Sequence, residues 1–280
     1  MLSLREFAIG ALTLGAFGLA APRLRRRRLI AAGPYAREAG VIVGLYVVWQ
    51  LLLDQLVTHV GGAVARGQGI WDLERSIHLP SEAGLQRLVL PHPLVAQASN
   101  GYYSGLHFPA MIGCLIWIFA RHRDRYSWMR RNLILVTGIS ALVQAIPVAP
   151  PRLISGLGMV DTGVLYHQSD YGPNGLHDPG QLISMPSVHV AWAVLVAVAV
   201  VLASRSAWRW LVVLHPILTM LVVVDTANHF WLDGIVAAAI LGAVLAVEWL
   251  VAVAAARPAP VPAVAPAEAW PVLADADAAR

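Results

Sequence analysis

Long stretches poor in Asp, Glu, Lys and Arg recur along the chain, and a helix needs ~20 mostly apolar residues to cross a bilayer. Seven segments meet or approach that length: residues 7–21, 39–60, 95–120, 132–149, 185–203, 210–226 and 232–255. The first is the shortest and follows Arg5 and Glu6, so a signal sequence or an amphipathic anchor stays open for it. Between the second and third, Trp71, Leu73, Ile77 and Leu79, then Leu85, Leu88 and Val89, alternate with polar positions over residues 69–90. This pattern predicts two short amphipathic helices at a membrane interface, broken at Pro80, with Ser81 capping the second. Residues 258–280 are rich in Ala and Pro and predict a disordered cytoplasmic tail.

The expected fold is an all-α integral membrane protein. It comprises a bundle of about six core transmembrane helices, an extra N-terminal hydrophobic helix and short interfacial helices. Three regions follow: 1–37, a hydrophobic segment and basic linker; 38–256, the membrane domain; and 257–280, the tail.

Composition agrees with this reading. Hydrophobic residues make up 58% of the chain, against ~45–50% in ordinary soluble domains. Charged residues make up 13%, about half the usual ~25%. A disordered chain is excluded and a water-soluble enzyme is disfavoured. The one cysteine, Cys114, allows no intrachain disulfide. All 20 basic residues are arginine, which excludes a lysine Schiff base and a Walker-type phosphate loop. The net charge of +4 does not point to nucleic acid, because the arginines gather at the ends of apolar runs.

Those arginines set an orientation. Clusters at residues 23–28, 121–131 and 205–209 alternate with arginine-poor connections. The positive-inside rule then puts the clusters in the cytoplasm and residues 61–94, 150–184 and 229–231 outside.

Polar groups at membrane depth are costly and point to function. Three such segments fall at outward span ends. Pro150-Pro151-Arg152 stops the fourth span and offers a planar guanidinium fork suited to phosphate or carboxylate. Ser184-Met185-Pro186-Ser187-Val188-His189 reads as a helix N-terminus whose free N–H groups would bind an anion beside His189. Asp225, His229 and Asp233 are spaced four apart, so one continuous helix would put them on one face. A carboxylate one turn after a histidine can hold Nδ1–H and stabilise the imidazolium. The same spacing leaves an ion-pair ladder or a metal site open as alternatives. Asn100, Tyr103 and His107 could line the site from one face of the third span, and the polar loop 161–178 could cover it.

Pro186-Ser187-Val188-His189 matches the PSxH motif, and His229-x3-Asp233 the HxxxD motif, of the type 2 phosphatidic acid phosphatase superfamily. The chain resembles that superfamily over roughly residues 95–250. Ala149–Arg152 (APPR) and Asn228–Asp233 (NHxxxD) resemble its inositolphosphotransferase branch, which includes inositol phosphorylceramide synthase. Two superfamily positions differ: Ala145 stands where a lysine is usual and Val223 where an arginine is usual. That branch commonly lacks the lysine–arginine arrangement, which favours it over the phosphatases.

The resemblance implies His229 as nucleophile, Asp233 as its orienting carboxylate and His189 as general acid and base. Arg152, Ser187, Asn228, Tyr103 and His107 would bind the substrate. No metal and no cofactor are expected. The substrate would be a lipid phosphate or phosphodiester, with a polyol or sugar as possible acceptor, in a bacterial plasma membrane with the site on the extracytoplasmic face. Transfer to an alcohol is the favoured outcome and hydrolysis by water the alternative. A non-enzymatic scaffold and a transporter are remoter, the latter because the polar groups sit at one membrane face.

Overall fold

A computed structural model describes residues 3–56, 60–169, 171–172 and 175–256. The tail beyond them, and Asp170 and Asn174 of the polar loop, lie outside the described residues. The described chain is helical throughout, without strands; one isolated parallel bridge joins Val148 to Ile183.

Eleven α-helices follow one another among the described residues: α1 (Leu4–Ala20), α2 (Arg27–Leu56), α3 (Ala63–Ser76), α4 (Glu82–Val89), α5 (Pro93–Gly105), α6 (His107–Arg121), α7 (Arg123–Gln144), α8 (Thr162–Leu165), α9 (Val188–Ala203), α10 (Leu214–Asp225) and α11 (Trp231–Ala255). Residues 1–245 make one compact unit, which holds the core and the candidate site. Residues 246–280 fall to a second unit, of which only the last turns of α11 are described.

α1 starts with a reciprocal cap, in which Ser3 and Glu6 satisfy each other's backbone N–H groups. It packs along α2 so closely that glycine is required. A Cβ at Gly18 would sit 2.6 Å from the Arg37 backbone, and one at Gly40 would sit 2.8 Å from the Gly15 backbone. The basic stretch after α1 is only partly a linker, since Arg27, Arg28 and Arg37 lie within α2.

Four helical segments are long and apolar enough to span a membrane: Leu4–Arg23, Arg27–Gln55, Ala207–Asp225 and Trp231–Ala255. The pair α5 and α6 makes a fifth if its 47° bend is one broken span. Two expected spans fall short for identifiable reasons. α7 begins with Arg123, Asp124, Arg125, Arg130 and Arg131, so only its second half is apolar. α9 has 16 residues, or ~24 Å at 1.5 Å per residue, below the ~30 Å of hydrocarbon.

The two short helices expected over residues 69–90 are present as α3 and α4. The chain breaks between them around Pro80, and the Ser81 hydroxyl accepts from the Gly84 N–H at 3.1 Å. The core is built from α6, α7, α9 and α10, with Met129, Val136, Leu195 and Val223 almost wholly enclosed. Two polar ties mark opposite ends of this bundle. Glu38 near the start of α2 is paired with Arg130 near the start of α7. Gln144 at the end of α7 donates to the Pro186 carbonyl, just before α9, at 3.1 Å. The arginine clusters belong to the first end and the candidate site to the second.

Candidate active site

Backbone bonds between irregular segments assemble the site. The Val148 N–H donates to the Leu182 carbonyl at 2.6 Å and the Ser184 N–H to the Val148 carbonyl at 3.3 Å. The Arg152 N–H donates to the Ala227 carbonyl and the Ser187 N–H to the Asp233 carbonyl, both at 3.0 Å. The segments before α9, after α7 and before α11 are thereby fixed side by side. All three are helix breaks, and each frees backbone groups for these ties.

His229 lies in the break between α10 and α11 and is buried. Its Nδ1 is 2.8 Å from the Ser184 carbonyl oxygen and 3.1 Å from Asp233 Oδ2. Both of those atoms are acceptors, so Nδ1 carries the proton and Nε2 keeps its lone pair. Asp233 Oδ2 also accepts from the Phe230 N–H at 2.9 Å and from the Ser184 hydroxyl. The carboxylate is thus held in one orientation by its own helix start. Asp225 is not part of this set. α10 ends at Asp225 and the helix does not continue to His229, so the one-face arrangement expected from the spacing does not form. Asp225 instead accepts from the Ser99 hydroxyl at 2.8 Å.

His189 sits in the first turn of α9, 5.7 Å from the His229 ring between centroids. Tyr103 stacks on it at 4.5 Å with the planes 24° apart, and the Tyr103 and Tyr171 hydroxyls are 2.7 Å apart. His107 lies behind His189 at 4.5 Å and stacks on Trp192. It supports the imidazole and does not line the cavity described below. The chain bends by 47° between Tyr103 and His107, yet both rings pack on His189. Asn100 ties α5 to the covering loop instead, through Thr162 and Gln168.

Arg152 is turned inward; its side chain is only 3% exposed. Its Nε donates to Asn228 Oδ1 at 3.0 Å, and its Nη1 to Gln181 Oε1 at 3.0 Å and Asp161 Oδ2 at 3.3 Å. The guanidinium lies over the Tyr171 ring, 4.2 Å from its centroid. A surface arginine anchoring a span would do none of this. Asn228 is therefore an orienting partner of Arg152 as well as a cavity residue.

Ser187 occupies the N-cap of α9 without making a side-chain cap. Its hydroxyl is buried with no partner among the described residues. Ser184, three residues earlier, holds both His229 and Asp233. It stands in the expected segment, but the sequence offers no reason to prefer it over Ser187. Tyr171 and Asp161 come from the polar loop, whose composition is their only signal, and Gln181 follows that loop with no signal of its own. Tyr166, His167 and His177 of the same loop do not line the cavity.

Beneath the start of α11, Glu74 of α3 accepts from the Leu232 N–H at 2.6 Å, next to Asp233. Glu74 is enclosed beside Glu82, and Arg75 reaches Glu82 at 2.9 Å. Burial, reinforced by the adjacent Glu82 carboxyl, pushes the Glu74 carboxyl up to about 9.

Arg152, Tyr103, Tyr171, His189, Ser184, Asn228 and His229 open onto one cavity of about 690 Å³. Among the described residues no group of three or more His, Cys, Asp or Glu side chains is arranged to hold a metal ion. Residues 68–247 match the family model of the PAP2 superfamily. The chain belongs to the PAP2 superfamily.

PAP2 membership supports a phosphatase-type activity on lipid phosphates. Comparison with curated proteins and with solved structures gave no match. The matched segment holds the whole histidine, arginine and aspartate set, while α1 and α2 lie before it. Of the two positions that depart from the superfamily pattern, Val223 is enclosed in the core and Ala145 caps α7. Neither supplies a cation, which leaves Arg152 as the guanidinium among the residues lining the cavity.

Proposed function

We propose that this PAP2 protein is an integral membrane enzyme that breaks a phosphoester bond of an amphiphilic substrate through a phosphohistidine on His229. One observation carries the reading: Nδ1 of His229 faces two acceptors, so Nε2 is the basic nitrogen. Attack by Nε2 forms an N–P bond as the P–O bond to the leaving alkoxide breaks. His189 gives that alkoxide a proton. Arg152, the buried Ser187 hydroxyl and the first N–H groups of α9 hold the non-bridging oxygens. In the second half, His189 removes a proton from water or an alcohol, which attacks phosphorus and releases His229. Asp233 orients His229 and stabilises the imidazolium formed between steps. No step in this scheme calls on a metal ion.

The preferred acceptor is an alcohol, such as a polyol or sugar, in the manner of an inositolphosphotransferase. Ala149–Arg152 and Asn228–Asp233 support this, as do Ala145 and Val223 at the positions where lysine and arginine are usual. Superfamily membership equally accommodates hydrolysis. The active site faces the extracytoplasmic side, since it lies at the bundle end opposite the arginine clusters. Incubation of the purified protein with labelled lipid phosphates and phosphodiesters, with and without polyols, separates the two outcomes. A new phospho-polyol supports transfer; free phosphate released from a monoester at a rate indifferent to polyol decides for hydrolysis.

A further inference from the structure

A second cavity, of about 470 Å³, adjoins the first, with Tyr46, Trp49 and Phe108 lining both. Its walls are apolar side chains of α1, α2, α6, α7 and α9. Its two hydroxyls are engaged: Thr137 accepts from Trp192 Nε1 at 2.8 Å and Tyr46 from Gln50 Nε2 at 3.3 Å. Along α2 the lining runs from Ile42 to Leu52, a rise of ~15 Å at 1.5 Å per residue. That is the depth of one leaflet, half of a ~30 Å hydrocarbon core. Gly138 of α7 lines the groove, and a Cβ added there would meet only open space.

We propose that this groove holds an acyl chain of the phosphate-bearing substrate, with α1 and α2 forming the wall that the PAP2 segment itself lacks. The inference rests on the reading that the adjoining polar cavity takes the phosphate. Two features select this occupant. Polarity changes across three shared aromatic residues, as it does across the headgroup and tail of one amphiphile. The depth matches a single leaflet chain rather than a helix or a transmembrane segment. Chain selectivity then comes from packing, because the surrounding lipid is as apolar as the groove.

The test uses the full-length protein in bilayers. A lipid phosphate carrying a photoreactive group at its chain end is cross-linked and the labelled peptides are mapped. A phosphatidylcholine with the same chain serves as bystander probe. Labelling of the 42–52 and 133–141 segments by the phosphate probe, suppressed by excess unlabelled lipid phosphate, supports the proposal. Gly138→Phe should then lower both labelling and long-chain turnover, by roughly ten-fold or more, with a short-chain soluble phosphoester still turned over as in the wild type. Labelling confined to other helices, or equal labelling by the phosphatidylcholine without competition, overturns it. Should Gly138→Phe not fold, the wild-type labelling pattern decides. Turnover with labels elsewhere refutes the groove alone, whereas absence of turnover on every phosphoester refutes the enzymatic reading beneath it.

Discussion

The imidazole rings of His189 and His229 stand 5.7 Å apart between centroids and are inclined at 61°. Two rings so placed can reach the same phosphoryl group, yet their surroundings differ. His229 is held at Nδ1 by Ser184 and Asp233, whereas His189 is held by ring contacts with Tyr103 and His107. The first is held through one ring nitrogen; the second is held through its ring faces.

That difference predicts a split between the two alanine variants. His189→Ala should lose roughly 10²–10⁴ in turnover of an alkyl phosphoester. It should lose much less with an aryl ester, whose leaving group needs no proton. His229→Ala should be inactive on both. Equal losses in both variants on both substrates would remove the acid role from His189.

Arg152 makes three hydrogen bonds and one ring contact through a planar fork. Arg152→Lys keeps the charge but cannot reproduce that geometry. A loss of roughly 10- to 100-fold in kcat/KM is expected, the value of one charge-assisted hydrogen bond. Near-normal kinetics would reduce Arg152 to a structural residue.

Glu74 gives a stability prediction with a definite sign. Its carboxyl is raised from the ordinary 4.5 to about 9 in the folded protein. Between those values the native state holds a proton that the unfolded state has lost, so its stabilisation is full below about pH 4.5 and fades as pH rises toward about 9. Glu74→Gln keeps an acceptor for the Leu232 N–H without a charge. The variant should therefore gain Tm relative to the wild type steadily from pH 5 to pH 9. A constant difference across that range would contradict the raised Glu74 carboxyl.

Sidedness can be read by thiol labelling. Ser155 is exposed on the segment between Arg152 and α8. Ser155→Cys in a Cys114→Ala background should react with an impermeant reagent on intact cells. Reaction only after permeabilisation would invert the proposed topology.

The sequence carried the helical architecture and the motif residues because both are local. Apolar runs, Pro80 with Ser81, and the four-residue spacing of His229 and Asp233 are visible in one dimension. Structure and spacing part where the backbone leaves the helix. Asp225 and His229 are four residues apart, but the helix that would align them stops at residue 225. The orienting roles of Ser184, Gln181 and Tyr171 depend on ties such as Val148 to Leu182, which no spacing reveals. Arg152 is legible as a candidate phosphate ligand from Pro150-Pro151-Arg152, but its burial depends on the loop folded over it. The groove behind Trp49 combines helices far apart in sequence, and only packing brings them together.

The central claim is the covalent intermediate on His229, and trapping it is the most direct test. Purified protein is mixed briefly with a substrate labelled in its phosphoryl group, quenched in alkali, digested and mapped. The account predicts an acid-labile, alkali-stable phosphohistidine on the peptide containing His229. It should be lost in His229→Ala and should persist in His189→Ala supplied with an aryl ester. Label on another residue, or the same phosphoenzyme in His229→Ala, would contradict it.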